Sequence, residues 1–167
     1  MLRYLKSTSG HKLALEPKSN YLELFVDADW AGDQRNRKSN SGVLVFLGGA
    51  LISWISRKQS CEAEFIAMTE GCQELSWILM VDVGVQVPQP VPVYEDNQSC
   101  IKLVQNGKTE RRTKHIETKF FYVRDLHDKK KIIIKYCPTE DMLADLLTKP
   151  LAACRQKKLC EGIGLLP

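Results

Sequence analysis

Hydrophobic and polar positions divide the chain into an N-terminal run of strands and a longer part in which helices and strands alternate. Residues 21–26 have the composition of a strand, and residues 42–47 and 51–55 follow as two more, with Gly48 and Gly49 forming the turn between the last two. Tight turns join strands that run in opposite directions. The first three strands are therefore predicted to form an antiparallel meander.

A helical pattern begins near Glu62 and stops at Gly84, after the third strand. Its apolar residues, among them Met68, Leu75 and Ile78, recur at the 3.6-residue spacing that places them on one face. This face is predicted to pack against the sheet.

The rest of the chain alternates between helical and strand patterns. We predict a strand at 91–94, a helix from Asn97 to Gly107, a basic helix with Ile116, Phe120 and Val123 on its inner face, a strand at 132–136, and one last helix opened by Pro138. Three strands followed by this alternation predict a mixed sheet with helices on its faces. The first twenty residues, which we call the lead segment, give an ambiguous pattern. Residues 2–5 suit the end of a helix and residues 11–15 a weak strand.

Length and charge add a second constraint. The 167 residues, 44% of them hydrophobic, suit one domain with a sizeable core. Residues 108–135 hold ten Lys and Arg against four acids, so the remainder is slightly acidic although the whole chain is +4. A basic stripe beside an acidic remainder suits a protein that holds a polyanion in one place and metal ions in another, whereas a solvated helix face is the plainer alternative.

The six cysteines contain no C-x-x-C pair and have no histidine at ligand spacing, which argues against a zinc site. The sequence also shows no signal peptide and no long apolar span. We therefore expect reduced thiols that pack as small hydrophobic groups in an intracellular protein.

Carboxylates recur where a metal site could be assembled. Asp27 ends the first strand and Asp96 ends the short fourth strand, and strand carboxyl ends are where sites in sheets commonly form. Glu64 shares the inward face of the first long helix, whereas Glu62 points nearly the opposite way. Asp145 is carried by an apolar stretch into or beside the core, where a carboxylate needs a partner or a metal.

Each acid also has a structural alternative. Aspartates at strand ends commonly serve turns, Glu64 can pair with a lysine, and Asp145 can pair with Lys149 four residues on. Two Mg²⁺ ions about 3.5 to 4 Å apart can drive phosphodiester hydrolysis, and Mg²⁺ prefers hard oxygen ligands. Four acids on two strand ends and two helices, beside a basic stripe, favour such a metal site.

Short motifs follow one another along nearly the whole chain: Asp27-Ala-Asp-Trp-Ala-Gly, Lys38-Ser-Asn-Ser-Gly, Ile52-Ser-Trp, Glu62-Ala-Glu-Phe, Asp96-Asn-Gln-Ser, Arg112-Thr-Lys-His-Ile-Glu, Pro138-Thr-Glu-Asp and Leu143-Ala-Asp-Leu-Leu-Thr-Lys-Pro-Leu. In this order they resemble the ribonuclease H domain of copia-type LTR retrotransposon polyproteins. Residues 1–20 resemble the end of a reverse transcriptase connection, which leaves 21–167 as the ribonuclease H-like domain.

The resemblance implies an α/β, ribonuclease H-like fold: a five-stranded mixed sheet, three antiparallel strands and then two parallel, flanked by helices. It implies that Asp27, Glu64, Asp96 and Asp145 are the catalytic and metal-binding residues for Mg²⁺ or Mn²⁺. The implied reaction is hydrolysis of the RNA strand of an RNA:DNA hybrid by a two-metal-ion mechanism.

The basic helix supplies the candidates for phosphate contacts, which are Arg111, Arg112, Lys114 and His115. His115 is equally well interpreted as a structural histidine. The expected partners are the hybrid and a reverse transcriptase domain, with no membrane, in a monomer or a larger polyprotein. The expected location is intracellular, in a cytoplasmic virus-like particle or the nucleus.

The segment before Glu62 departs from the family pattern. Only Ser60 and Cys61 separate Gln59 from Glu62, where the family carries about half a dozen more residues. A shifted helix start would displace Glu64, and a displacement of about 1 Å can lower a rate on the order of a hundredfold. Two functions therefore stay open, a hybrid endonuclease and a catalytically impaired, domesticated nucleic-acid-binding or scaffold module; an integrase-like domain matches the motifs less well.

Overall fold

The computed structural model describes residues 2–33, 38–59, 63–81, 86–106 and 114–167. In chain order the elements are α1 (Leu2–Ser7), β1 (Lys12–Leu13), β2 (Leu22–Asp33), β3 (Lys38–Leu47), β4 (Ala50–Gln59), α2 (Ala63–Met80), β5 (Val91–Glu95), α3 (Gln98–Asn106), α4 (Lys114–Asp128), β6 (Ile132–Tyr136), a 3-10 turn (Thr139–Asp141), α5 (Asp145–Thr148), α6 (Ala153–Gly162) and β7 (Leu165–Leu166).

Five strands form one mixed sheet in the order β4-β3-β2-β5-β6. The pairs β4–β3 and β3–β2 are antiparallel, whereas β5 is parallel to both β2 and β6. This confirms the predicted sheet, although the first three strands are longer than their hydrophobic runs indicated. Because β2 and β5 run in the same direction, their carboxyl ends lie at the same edge of the sheet.

Helices α2, α3 and α4 cover one side of the sheet, which we call the three-helix face. Met68, Leu75 and Ile78 are buried there as their spacing predicted, together with Phe120 from α4. At Gly71 an added Cβ would lie 2.8 Å from Cγ1 of Val26, so the glycine lets α2 approach β2 closely. The three-helix face therefore holds the larger core.

The 3-10 turn, α5 and α6 cover part of the opposite side, which we call the C-terminal face. Its smaller core consists of six buried residues: Leu44, Phe46, Leu51, Cys137, Met142 and Ala144. The prediction of one last helix is wrong, because the chain is extended at Met142 and again at Lys149. Pro150 explains the second break, since a proline drives the residue before it out of the helical region.

The lead segment contains both of the elements that its pattern suggested. Helix α1 comes first, and β1 then pairs antiparallel with β7, with Lys12 opposite Leu166. The sequence indicated no strand at Leu165–Leu166, and a division of the chain at residue 20 stays a prediction. Within the described ranges no helix combines the length and hydropathy needed to cross a bilayer.

Candidate metal centre

Three of the four predicted acids converge at the carboxyl edge of the sheet. Asp27, Asp96 and Asp145 each offer a carboxylate oxygen, and these oxygens all lie within 4.8 Å of one another. Glu64 is the second residue of α2, but its side chain lies outside the part of the chain that the structure describes. Its place in the cluster stays a prediction.

Gly42, which lies opposite Asp27, allows Asp145 to approach Asp27. Asp27 on β2 pairs with Gly42 on β3. A Cβ at Gly42 would lie 2.8 Å from Cγ2 of Thr148 and 2.9 Å from the carbonyl oxygen of Ala144, so α5 rests directly on the backbone of β3. This close approach lets the Thr148 hydroxyl donate a hydrogen bond to Oδ2 of Asp27. The register of the meander therefore positions α5 over Asp27. The prediction that Asp27 ends the first strand is wrong, because β2 continues to Asp33.

Asp145 is fully buried and is held by two cationic side chains. Its Oδ1 lies 2.6 Å from Nζ of Lys149, and its Oδ2 accepts a hydrogen bond from Arg155 on α6. The same Lys149 ammonium is 3.0 Å from Oδ1 of Asp27 and therefore bridges the two buried acids. The pair between Asp145 and Lys149 was foreseen from the four-residue spacing, whereas nothing in the sequence indicated Arg155.

Asp96 directly follows the end of β5 and is less buried than the other two acids. Thr139 in the 3-10 turn donates a hydrogen bond of 2.9 Å to its Oδ2. The next residue, Asn97, caps α3 as predicted, because its Oδ1 accepts the backbone N–H groups of Ser99 and Cys100 at 2.8 and 3.1 Å. A strand end and a helix cap therefore fix the backbone on either side of this carboxylate.

Burial dominates the electrostatics of the cluster. Burial raises the pKa of Asp27, against the hydrogen bond from Thr148 and the charge of Lys149, which lower it, while the charge of Asp145 raises it further. Burial alone would lower the pKa of Lys149, but its hydrogen bonds and charge interactions with Asp145 and Asp27 outweigh this effect and raise it. The ammonium therefore stays charged between the two carboxylates.

The donor set fits a divalent cation of the Mg²⁺ type. Three carboxylates supply hard oxygen atoms that lie within 4.8 Å of one another, and Mg²⁺ prefers ligands of this kind. Each of the four oxygens of Asp27 and Asp145 already accepts a bond from Lys149, Arg155 or Thr148, so an ion that binds between these two acids would share these oxygens with the chain's own donors and would meet the positive charge of Lys149.

The predicted phosphate contacts are only partly covered by the structure. Arg111 and Arg112 lie outside the described residues, and so do the side chains of Lys114 and His115, which begin α4. Farther along the basic stripe, Lys129, which directly follows α4, pairs with Asp125 of that helix at 2.7 Å. The described end of the stripe is thus partly neutralised by an acid of the stripe itself, and its role in binding stays a prediction.

None of the described cysteines forms a disulfide, and Cys72, Cys100 and Cys137 pack as buried groups as expected, whereas the prediction of packing is wrong for Cys154, which is exposed. Burial raises the pKa of the Cys72 thiol to about 12. For Cys137, burial and the nearby charges of Asp141, Asp96 and Asp145 raise the thiol pKa to about 11. Cys61 lies outside the described residues.

Comparison with known proteins identifies relatives over almost the full chain. The retrovirus-related Pol polyprotein from transposon RE2 of Arabidopsis thaliana is 36% identical over 176 residues, which cover 99% of this chain and 12% of that protein. The corresponding polyprotein from transposon TNT 1-94 of Nicotiana tabacum is 38% identical over 173 residues, covering 99% and 13%. The chain therefore spans about an eighth of the length of the curated relatives it matches. No family model matches the sequence.

Solved structures share the fold. LC11-RNase H1, isolated from compost and crystallised in complex with an RNA/DNA hybrid, superposes with a TM-score of 0.59 at 15% identity, over 76% of this chain and 93% of that one. At this identity the likeness concerns the arrangement of helices and strands.

Proposed function

Because this chain belongs to the family of copia-type retrotransposon Pol polyproteins and has the ribonuclease H fold, we propose that it is a metal-dependent endonuclease that hydrolyses the RNA strand of RNA:DNA hybrids. One observation carries the proposal: Asp27, Asp96 and Asp145 come from distant parts of the chain, yet their oxygens lie within 4.8 Å of one another. Ion pairs with Lys149 account for the proximity of Asp27 and Asp145, but they do not involve Asp96, whereas a shared metal site accounts for all three acids.

The proposed ligands are these three aspartates together with Glu64. Divalent ions such as Mg²⁺ or Mn²⁺, held as a pair, supply Lewis acidity and stabilise the charge that develops during phosphodiester hydrolysis. Asp27 and Asp96 would hold ions between them, and Asp145 would complete the shell of the second ion. Glu64, at the first turn of α2, would ligate one ion and orient the attacking water or the RNA strand.

The burial of the three aspartates indicates the side from which the substrate approaches. Asp27 and Asp145 are 1% and 0% exposed, whereas Asp96 is only partly buried, so we expect the hybrid to approach from the side of Asp96. Arg111, Arg112, Lys114 and His115 are the proposed phosphate contacts. Phosphate contacts position a duplex without reading its sequence, and 2′-hydroxyl contacts distinguish the RNA strand from DNA.

The likeness to long Pol polyproteins suggests the setting of this activity. We propose that the domain acts beside a reverse transcriptase domain, as part of a polyprotein or as a monomer derived from one, with residues 1–20 as the end of the connection. Its proposed place is inside the cell, in a virus-like particle or the nucleus.

A second candidate function is a catalytically impaired module that binds or organises nucleic acid. The specific observation in its favour is that Lys149 and Arg155 already hold oxygens of both buried aspartates. The short segment before Glu62 points the same way, because a shifted start of α2 would displace Glu64.

A cleavage assay separates the two functions. The wild-type protein is expected to cut a labelled hybrid in Mg²⁺, and Asp96→Asn, which removes a ligand charge without changing the size of the side chain, is expected to abolish the products while hybrid binding persists. Asp141→Asn is the matched control, because this aspartate is exposed and lies outside the carboxylate cluster.

Binding without cleavage would support the second candidate function. Tight, salt-sensitive binding of the hybrid by the wild-type protein, with no products in Mg²⁺ or Mn²⁺, would favour the binding module.

A further inference from the structure

One lysine occupies the space between the two most deeply buried acids of the cluster. The Lys149 ammonium is 3.0 Å from Oδ1 of Asp27 and 2.6 Å from Oδ1 of Asp145, and only 28% of its side chain is exposed. We propose that Lys149 is a resident cation of the metal centre: it holds Asp27 and Asp145 together in the absence of divalent ions and competes with one of the two ions. This inference rests on the proposed metal site.

The two aspartates need a positive charge even without metal. Both carboxylates are almost fully buried and interact with each other, so bringing them together unpaired would add charge repulsion to the loss of hydration. Arg155 forms an ion pair with Asp145, and its other described hydrogen bond is to the carbonyl oxygen of Thr139. Among the described residues, Lys149 is the cation that forms an ion pair with both acids.

The local backbone explains why this lysine reaches both acids. Lys149 caps the C-terminus of α5 in an extended conformation, with φ −118° and ψ 144°, just before Pro150. Asp145 is four residues earlier, at the start of the same helix. Helix α5 rests on Gly42, the register partner of Asp27, so the end of α5 lies over that carboxylate. The bridge therefore follows from the fold.

The bridge makes the two proposed ion positions unequal. An ion between Asp27 and Asp145 would lie close to the Lys149 ammonium, which contacts Oδ1 of both acids, and the two positive charges would repel each other. Asp96 is different, because its described contact is a hydrogen bond from the Thr139 hydroxyl and involves no cation. An ion on the Asp96 side is therefore expected to bind first, and an ion on the Asp145 side only when the ammonium moves away.

Replacing Lys149 with methionine tests the proposal, because the bridge predicts opposite effects on two measurements. In EDTA, Lys149→Met is expected to lower the thermal unfolding temperature, since two buried carboxylates lose their shared cation. In calorimetric titration with Mn²⁺, the same variant is expected to bind the weaker ion on the order of tenfold more tightly, a change of about 1.4 kcal/mol, because the competing charge is gone. A purely structural lysine would weaken both properties.

Lys158→Met is the matched control. Lys158 carries the same charge on α6, but it is exposed and pairs with Asp141, 2.9 Å away. This variant is expected to change both measurements little, as for a surface ion pair. If Lys158→Met tightens Mn²⁺ binding as much as Lys149→Met, the effect is one of net charge and the proposal is overturned.

A measurement on the wild-type protein avoids the risk that Lys149→Met does not fold. With ¹³C-labelled lysine side chains, addition of Mg²⁺ is expected to shift one lysine resonance strongly, and that resonance should be absent from Lys149→Arg. A spectrum in which the Lys149 resonance does not respond to bound Mg²⁺ overturns the competition. If no ion binds to the wild-type protein or to Lys149→Met, the proposed metal site itself fails; equal affinities overturn only the role of Lys149.

Discussion

The three-helix face and the C-terminal face are built on the same sheet but differ in how they are held. Among the residues that the structure describes, the three-helix face contains a cluster of nineteen buried residues and the C-terminal face a cluster of six. The C-terminal face also leaves an apolar groove of about 190 Å³ beside α5. Yet Asp145, Thr148, Lys149 and Arg155 all come from the C-terminal face. The division suggests that one face supplies most of the stability while the other supplies contacts that an entering ion must rearrange.

The largest expected effect lies on the three-helix face. Phe120→Ala removes a ring that is 1% exposed, and the free energy of unfolding is expected to fall by about 3 to 5 kcal/mol, as for other buried aromatic residues. Urea unfolding measures the loss. Phe121→Ala is the matched control, because the neighbouring ring is 59% exposed.

Equal losses for the two phenylalanines would mean that burial in this cluster does not control stability. The contrast between the faces would then lose its basis. Cleavage per folded molecule should stay near the wild-type value in both variants, since neither ring belongs to the carboxylate cluster.

A smaller loss of stability, with a larger loss of activity, is expected on the C-terminal face. Gly42→Ala places a Cβ 2.8 Å from Cγ2 of Thr148, which is expected to lower the free energy of unfolding by about 1 to 3 kcal/mol. If α5 moves by about 1 Å, Asp145 moves away from Asp27 and the cleavage rate falls on the order of a hundredfold.

Gly10→Ala serves as the control for Gly42→Ala, because no heavy atom lies within 4 Å of the Cβ position there. Urea unfolding and hybrid cleavage are measured on both variants. A Gly42→Ala protein that is destabilised but cleaves at the wild-type rate would show that the contact between α5 and β3 does not position Asp145.

The two faces also differ in how far the sequence predicted them. Periodicity identified the inner residues of α2 and α4 because a helix that packs on a sheet must repeat its apolar positions. The structure confirms this for Met68, Leu75, Ile78, Phe120 and Val123, whereas the side chain of Ile116 lies outside the described residues. Strand composition placed Asp27 and Asp96 near each other, and the structure confirms their proximity, although β2 continues past Asp27 to Asp33.

The C-terminal face could be predicted only in part. The prediction of a single last helix overlooked Pro150, which is visible in the sequence and marks the end of α5. The pair between Asp145 and Lys149 follows from spacing, but the contact of Lys149 with Asp27 depends on how α5 docks at Gly42. Contacts between elements distant in sequence leave no periodic signal, and the same reason applies to Arg155 and to the pairing of β1 with β7.

The smallest expected effect concerns the lead segment, where it meets the C-terminal face. Leu13 on β1 packs against the smaller core, and β1 pairs with β7. Leu13→Ala is expected to lower the free energy of unfolding by about 1 kcal/mol, less than for a fully buried leucine because the side chain is only partly covered. Leu15→Ala is the control, since this leucine is 62% exposed two residues later. If Leu13→Ala is as stable as the control, the lead segment does not stabilise the C-terminal face, and the stable unit begins at the predicted boundary at residue 20. A measurable loss of stability would place the start of the stable unit closer to the N-terminus.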